Sequence, residues 1–148
     1  MAAPAEEWDS IRLADLPEAM IGHPDGTTSR WWTVKRGETA RTSVEGPPLF
    51  RVEVRPILTQ AEAEQAKEDP ERFLFVIEIL LDGASRKLEA YRFEEDPEAK
   101  HETYRVGARK RVELRLDPGP HTVSVRCVTG KAETLLVRFR EPVRVEKD

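Results

Sequence analysis

The chain has one cysteine, few aromatics and no long apolar run, and each shortage removes a class of function. Cys127 has no second cysteine to pair with, so no intramolecular disulfide staples this fold. Its position on the apolar face of a strand marks it as a small core residue rather than a nucleophile. Nothing approaches the roughly 18 consecutive apolar residues that a membrane-crossing helix needs. The three histidines, His23, His101 and His121, form no HxH, HxxxH or HExxH pair, so no metal site or other cofactor is expected. GxSxG, P-loop and GxGxxG signatures are missing as well, which removes the most legible hydrolase and nucleotide-binding readings. His121 and Cys127 cannot serve as a base and nucleophile pair, because six residues along a regular strand separate them by about 20 Å.

What is present is charge. Charged residues make up 35 % of the 148 positions and hydrophobic residues 39 %, a composition for one folded domain with a heavily charged surface. The formal net charge of −4 is uneven: from Tyr104 onward 11 Lys and Arg face 6 Asp and Glu, while residues 1–103 carry 13 against 22. The basic residues of the second part alternate with glutamates along strands and are not interleaved with aromatics. A solvated sheet face accounts for them, and nucleic acid is not expected as a partner.

Alternation dominates the pattern. Arg111–Arg115 carries Val112 and Leu114 on one face and arginines and a glutamate on the other, and Val123, Val125 and Cys127 repeat the period of two. Asp117-Pro118-Gly119-Pro120 between them supplies turn chemistry, so Lys110 to Val128 is expected to be a β-hairpin around which the domain is organised. Val112 to Val125, VELRLDPGPHTVSV, resembles the strand, PG-x-H turn and strand of small bacterial surface β-domains such as PEGA. That resemblance implies an envelope-associated binding or interaction module.

Further strands are expected at Arg30–Val34, Thr39–Val44, Leu49–Arg55, Lys87–Phe93 and Ala132–Arg140, with a short edge strand at Val143–Val145. Arg72–Leu81 is apolar on both faces and reads as a central strand buried on both sides. Asp82-Gly83 then closes a tight hairpin. Thr59–Asp69 is rich in helix formers and starts with a capping box, Thr59 with Glu62. Glu94–Glu102 reads as an acidic loop or single helical turn. The expectation is an all-β, antiparallel β-sandwich or jelly roll of about 7–9 strands with one short helical insertion near 59–69. Residues 1–10 form a loose N-terminal arm and 11–148 the single domain.

For function, the adjacent indoles Trp31 and Trp32 stand out. Neighbouring residues of a strand point to opposite faces, so one ring enters the core while the other faces solvent or is covered by the arm through Trp8. The main expectation is a non-catalytic interaction or scaffold module that binds a protein partner at a bacterial cell envelope. The first alternative is a carbohydrate-binding module stacking sugars on Trp31 or Trp32 with Tyr91 or Tyr104. The second is an enzyme whose carboxylates and His23 or His101 meet on loops. Ala-Ala-Pro-Ala-Glu-Glu is the small, polar type of segment that follows signal cleavage, which favours a periplasmic or cell-surface place over the cytoplasm. Oligomeric state is not legible.

Overall fold

The computed structural model describes residues 8–46, 48–129 and 134–143. Twelve strands run in the order β1 (Trp8–Ser10), β2 (Glu18–Gly22), β3 (Thr28–Lys35), β4 (Thr39–Glu45) and β5 (Leu49–Leu58). A helix, α1 (Gln60–Glu68), and a 3-10 turn (Pro70–Phe73) lead into β6 (Leu74–Leu81), β7 (Ala84–Arg92), β8 (Glu95–Lys100) and β9 (Arg105–Gly107). The last three are β10 (Lys110–Arg115), β11 (Pro120–Thr129) and β12 (Thr134–Pro142). All pairings are antiparallel.

Two sheets result, one of eight strands and one of four, the latter ordered β4-β11-β6-β7. The larger sheet is built on β5 and β12, which pair from Leu135–Pro56 to Arg140–Arg51. β12 takes β3 along its first half and β1 along its last, while β5 takes β10 along its first part and β9 at its end. From that split β12, β3, β2, β8, β9 and β5 close into a six-strand ring. The mostly β, antiparallel character with one helix is as expected. The ring, however, makes part of the large sheet a closed barrel rather than one layer of a plain sandwich or jelly roll. The 7–9 strands expected rise to twelve among the described residues because β1, β2, β8 and β9 are short or poorly alternating.

The main core lies between the two sheets. β5 contributes Phe50, Val52 and Val54, β6 contributes Phe75, Ile77 and Ile79, and β11 contributes Val123, Val125 and Cys127. Burial pushes the Cys127 thiol up, as befits an inert core residue. A second, smaller core fills the ring: Ala19, Ile21, Trp31, Ile57, Ala99, Val106 and Leu136, with Tyr104 packed against it.

Local chemistry explains the elements that match expectation. Thr59 Oγ1 accepts from the Glu62 amide at 3.1 Å and Glu62 Oε1 from the Thr59 amide at 3.0 Å, the reciprocal box that starts α1. Asp82 (φ 51°) and Gly83 (φ 81°) both take the left-handed conformation that a two-residue hairpin turn demands, and β6 pairs β7 across it.

Three expectations are corrected. Lys110–Val128 is not a hairpin: β10 pairs β5 in one sheet, and β11 pairs β4 and β6 in the other. The Asp117–Pro120 turn therefore carries the chain over the edge of the core from one sheet to the other, and both apolar faces meet the core from opposite sides. Its tightness is set at Gly119 (φ 107°) and by Gly46, where a Cβ would stand 2.8 Å from the Gly119 nitrogen. Second, β6 is buried on one side only; Leu74, Val76 and Leu80 lie half-exposed on the outer face of the small sheet. Third, 95–100 is strand β8 rather than a loop, held in part by Glu95 to Arg105 at 2.9 Å and Asp96 to Arg55 at 3.2 Å. The expected arm is paired from Trp8 onward, since Trp8–Ser10 lie against Pro142–Arg140. Residues 1–7, 130–133 and 144–148 fall outside the described residues, and with them the start of the strand expected from Ala132 and the end of the one expected at Val145.

Candidate functional site

The outer face of the small sheet is the counterpart of its apolar core face. Strand alternation that sends Val123 and Val125 into the core puts Thr122, Ser124 and Arg126 on the other face, where Arg126 is exposed, Thr122 half-buried and Ser124 covered. Register then aligns them with neighbours: Arg41 of β4, Ser124 of β11 and Leu80 of β6 stand in one cross-strand row, and Thr39, Arg126 and Glu78 in the next. The Asp82-Gly83 turn closes one end. Together Thr39, Arg41, Leu80, Asp82, Gly83, Thr122, Ser124 and Arg126 line an open groove of about 610 Å³, within the range of small-molecule sites.

Hydroxyls, guanidiniums and a carboxylate thus converge on one surface beside an aliphatic side chain. Arg41 Nε reaches Ser124 Oγ at 3.4 Å, a long bond that leaves most of its donors directed elsewhere, while Arg126 Nη2 is held by Glu78 Oε1 at 2.6 Å. Asp82 is more firmly placed: Oδ1 accepts the Thr122 amide at 2.9 Å, and Oδ2 lies 2.7 Å from His121 Nδ1. His121 Nε2 in turn lies 2.7 Å from the Asp117 carbonyl. The ring thereby ties the β6–β7 turn to the Asp117–Pro120 crossover.

The His121 pair carries a pH signature. Hydrogen bonding to Asp82, then to Asp117, raises His121 above its ordinary 6.5, and the bond from His121 with that from Thr122 holds Asp82 below its ordinary 3.8. Stability from a raised histidine is complete below its unfolded value and lost as pH rises through the folded one; for the lowered aspartate the loss comes on the acid side. Melting curves of wild type should therefore fall relative to His121→Gln as pH rises above 6.5. Parallel curves across that window would remove the pair as a titrating tie.

The four aromatics expected as a sugar platform do not assemble. Trp31 and Trp32 are 0 % and 1 % exposed. Alternation does place them on opposite faces, yet both faces are covered, Trp32 by the main core and Trp31 by the ring core. The cover over Trp31 is not Trp8, whose ring instead takes the Arg51 guanidinium at 3.6 Å from its centroid. Tyr91 packs against the main core and Tyr104 against the ring core, both half-buried. Burial, with a hydrogen bond to Glu89, pushes the Tyr91 hydroxyl up.

His101 and Tyr104 line a second pocket of about 340 Å³ at the ring, with Glu95, Asp96 and Glu102. Several of its groups are engaged internally. His101 Nδ1 accepts the amides of Thr103 at 3.0 Å and Tyr104 at 3.2 Å, and Glu95 and Asp96 are paired to Arg105 and Arg55. His23 lies elsewhere, 2.8 Å from Ser29 Oγ. Among the described residues no three His, Cys, Asp or Glu side chains gather as metal ligands, and no helix is long and apolar enough to cross a membrane.

The groove residues went unseen in the sequence. Thr39, Arg41, Thr122, Ser124 and Arg126 are ordinary outward positions of alternating strands, and only cross-strand register makes them neighbours.

No family model matches the chain, and no curated protein matches it in sequence. Solved structures do resemble it. A family 35 carbohydrate binding module from Clostridium thermocellum superposes with a TM-score of 0.51 at 10 % identity, over 90 % of this chain and 97 % of that one. The catalytic domain of a GH87 alpha-1,3-glucanase gives 0.50 at 12 % identity, over 96 % of this chain. A Paenibacillus sp. cycloisomaltooligosaccharide glucanotransferase gives 0.45 at 14 % identity, over 90 % of this chain. The chain spans 28 % of the glucanase and 18 % of the glucanotransferase. At these identities the likeness is one of fold.

Proposed function

We propose that this chain is a non-catalytic carbohydrate-binding module that holds a glycan in the groove of its four-stranded sheet. The observation that carries the reading is the convergence of Arg41, Arg126, Thr39, Thr122, Ser124 and Asp82 from two strands and a turn into one open groove. A sugar ring presents a rim of hydroxyls that both donate and accept, and these side chains offer both roles, while Leu80 supplies an apolar contact for its C–H face. Support comes also from the fold, shared over nearly the full length of a family 35 carbohydrate binding module. Because Trp31 and Trp32 are core residues, recognition rests on polar contacts rather than on indole stacking.

The test is affinity electrophoresis and calorimetry on soluble neutral polysaccharides, xylan, glucomannan and dextran, with wild type and Arg41→Ala/Arg126→Ala. Wild type should be retarded by at least one of them. Each lost charged hydrogen bond is worth about 1.5–3 kcal/mol, so the double variant should bind at least roughly tenfold more weakly. No retardation of wild type, or equal binding by the variant, overturns the reading.

A protein partner is the second reading, favoured by one feature: Leu88, 61 % exposed, stands beside Glu78 on the same outer face as half-exposed Val76 and Leu80. That reading gains if neutral glycans fail.

A further inference from the structure

On the opposite surface, the face of the large sheet turned away from the main core, one carboxylate is surrounded by four guanidiniums. Glu53 of β5 stands in register between Arg111 of β10 and Arg138 of β12. It is 0 % exposed. Glu53 Oε1 accepts from Arg138 Nε at 3.0 Å and lies 3.0 Å from Arg138 Nη2 and 3.6 Å from Arg140 Nη1. Oε2 is 3.3 Å from Arg109 Nη1 and 3.3 Å from Arg111 Nη2.

One carboxylate balances one of these charges. Two-point contact with Arg138 already accounts for it, which leaves three positive charges at the cluster. The flanking ions do not supply the difference, because Arg51 pairs with Glu113 at 3.0 Å and Arg55 with Asp96 at 3.2 Å. Donors are in surplus too. A guanidinium carries five N–H groups, whereas a carboxylate accepts about four bonds; the buried Nε of Arg140 has no acceptor among the described residues, although its Nη2 donates to the Trp8 carbonyl at 2.8 Å. Arg109 and Arg111 remain open to solvent, with side chains 41 % and 34 % exposed, yet both are drawn over Glu53. Below them Trp31 closes the floor, its ring centroid 4.3 Å from the Arg138 guanidinium carbon.

We propose that Arg109, Arg111 and Arg140, organised around Glu53, bind a tetrahedral oxyanion, a phosphate or sulfate group carrying two negative charges or borne as an ester on a glycan. Guanidinium forks match tetrahedral oxyanions with paired N–H donors, and the three or four free oxygens of such a group answer the surplus of donors better than the two of a second carboxylate. Glu53 keeps the guanidiniums fanned about one point. The site lies across the main core from the glycan groove, so it stands or falls independently of the function proposed above.

Thermal unfolding with sodium phosphate, sodium sulfate or dextran sulfate, against sodium chloride at equal ionic strength and neutral dextran, tests this. A ligand that binds only the folded protein raises its melting temperature by mass action. Wild type should be stabilised by phosphate or sulfate beyond the chloride control, and Arg109→Ala/Arg111→Ala should lose that gain, with affinity at least tenfold weaker. A response to dextran sulfate that exceeds the free ions identifies the ester as the source; a response to free ions alone identifies the ion. Arg111→Lys keeps the charge without the fork and should bind more weakly while folding normally, which covers a double variant that does not fold. Equal shifts in wild type and both variants, or none in wild type, overturn the site.

Discussion

Replacing Glu53 with glutamine should destabilise the protein by roughly 3–5 kcal/mol, the penalty typical of leaving a buried charge without its partner. Burial by itself would raise the Glu53 carboxyl, but the guanidiniums of Arg138, Arg109, Arg140 and Arg111 outweigh it and hold the group below the usual carboxylate range. The variant keeps the shape and removes the charge. Arg138, 8 % exposed, then sits beside three other cations with nothing to oppose it. In urea titrations near neutral pH the midpoint should fall accordingly, and a loss under about 1 kcal/mol would show that the arginines spread into water instead. The sign of the pH dependence follows. A lowered carboxylate contributes above its ordinary value of 4.5 and loses that contribution as pH falls through the folded value. Wild type and Glu53→Gln should therefore converge in acid.

Trp31→Ala should be of similar size, about 3–5 kcal/mol, as expected of a fully buried indole whose cavity cannot collapse. The ring core is small, and Trp31 is its largest member beside Ile21, Ile57, Val106 and Leu136. Its Nε1 also donates to Ser29 Oγ at 2.8 Å, and its face carries Arg138 at 4.3 Å and Arg55 at 5.3 Å. Losing the indole thus empties the ring and removes the support under the arginine cluster. Denaturant midpoints read the effect directly. A value near that of an exposed substitution, within about 0.5 kcal/mol, would mean that the ring is not a packed core.

These two residues show where local reading stops. Alternation correctly places Glu53 on the face opposite Val52 and Val54, and Trp31 opposite Trp32. It then misjudges both, because a period of two tells which residues share a face but not whether that face is covered. The face of β5 and β12 changes character along its length, from Arg51, Glu53 and Arg55 with Arg138 and Arg140 to Ile57 with Leu136, where the sheet closes into the ring. The junctions that complete the closure are sparse, β2 meeting β8 only at Gly22–Lys100 and β9 meeting β5 and β8 at two positions each.

The sequence by itself determined the strands with strong alternation, the capped helix at Gln60–Glu68, the Asp82-Gly83 hairpin and the core identity of Cys127, because each depends on near neighbours in the chain. Tertiary structure decided which strands pair, and hence that Lys110–Val128 spans two sheets, that both indoles are buried, and that Arg41 meets Ser124 while four arginines meet Glu53. Strand partners lie as far as 134 positions apart, as Trp8 and Pro142 do, and Glu53 and Arg138 are 85 apart. Their register comes from how two apolar faces fill one core, a property of the assembled sheets that no local segment contains.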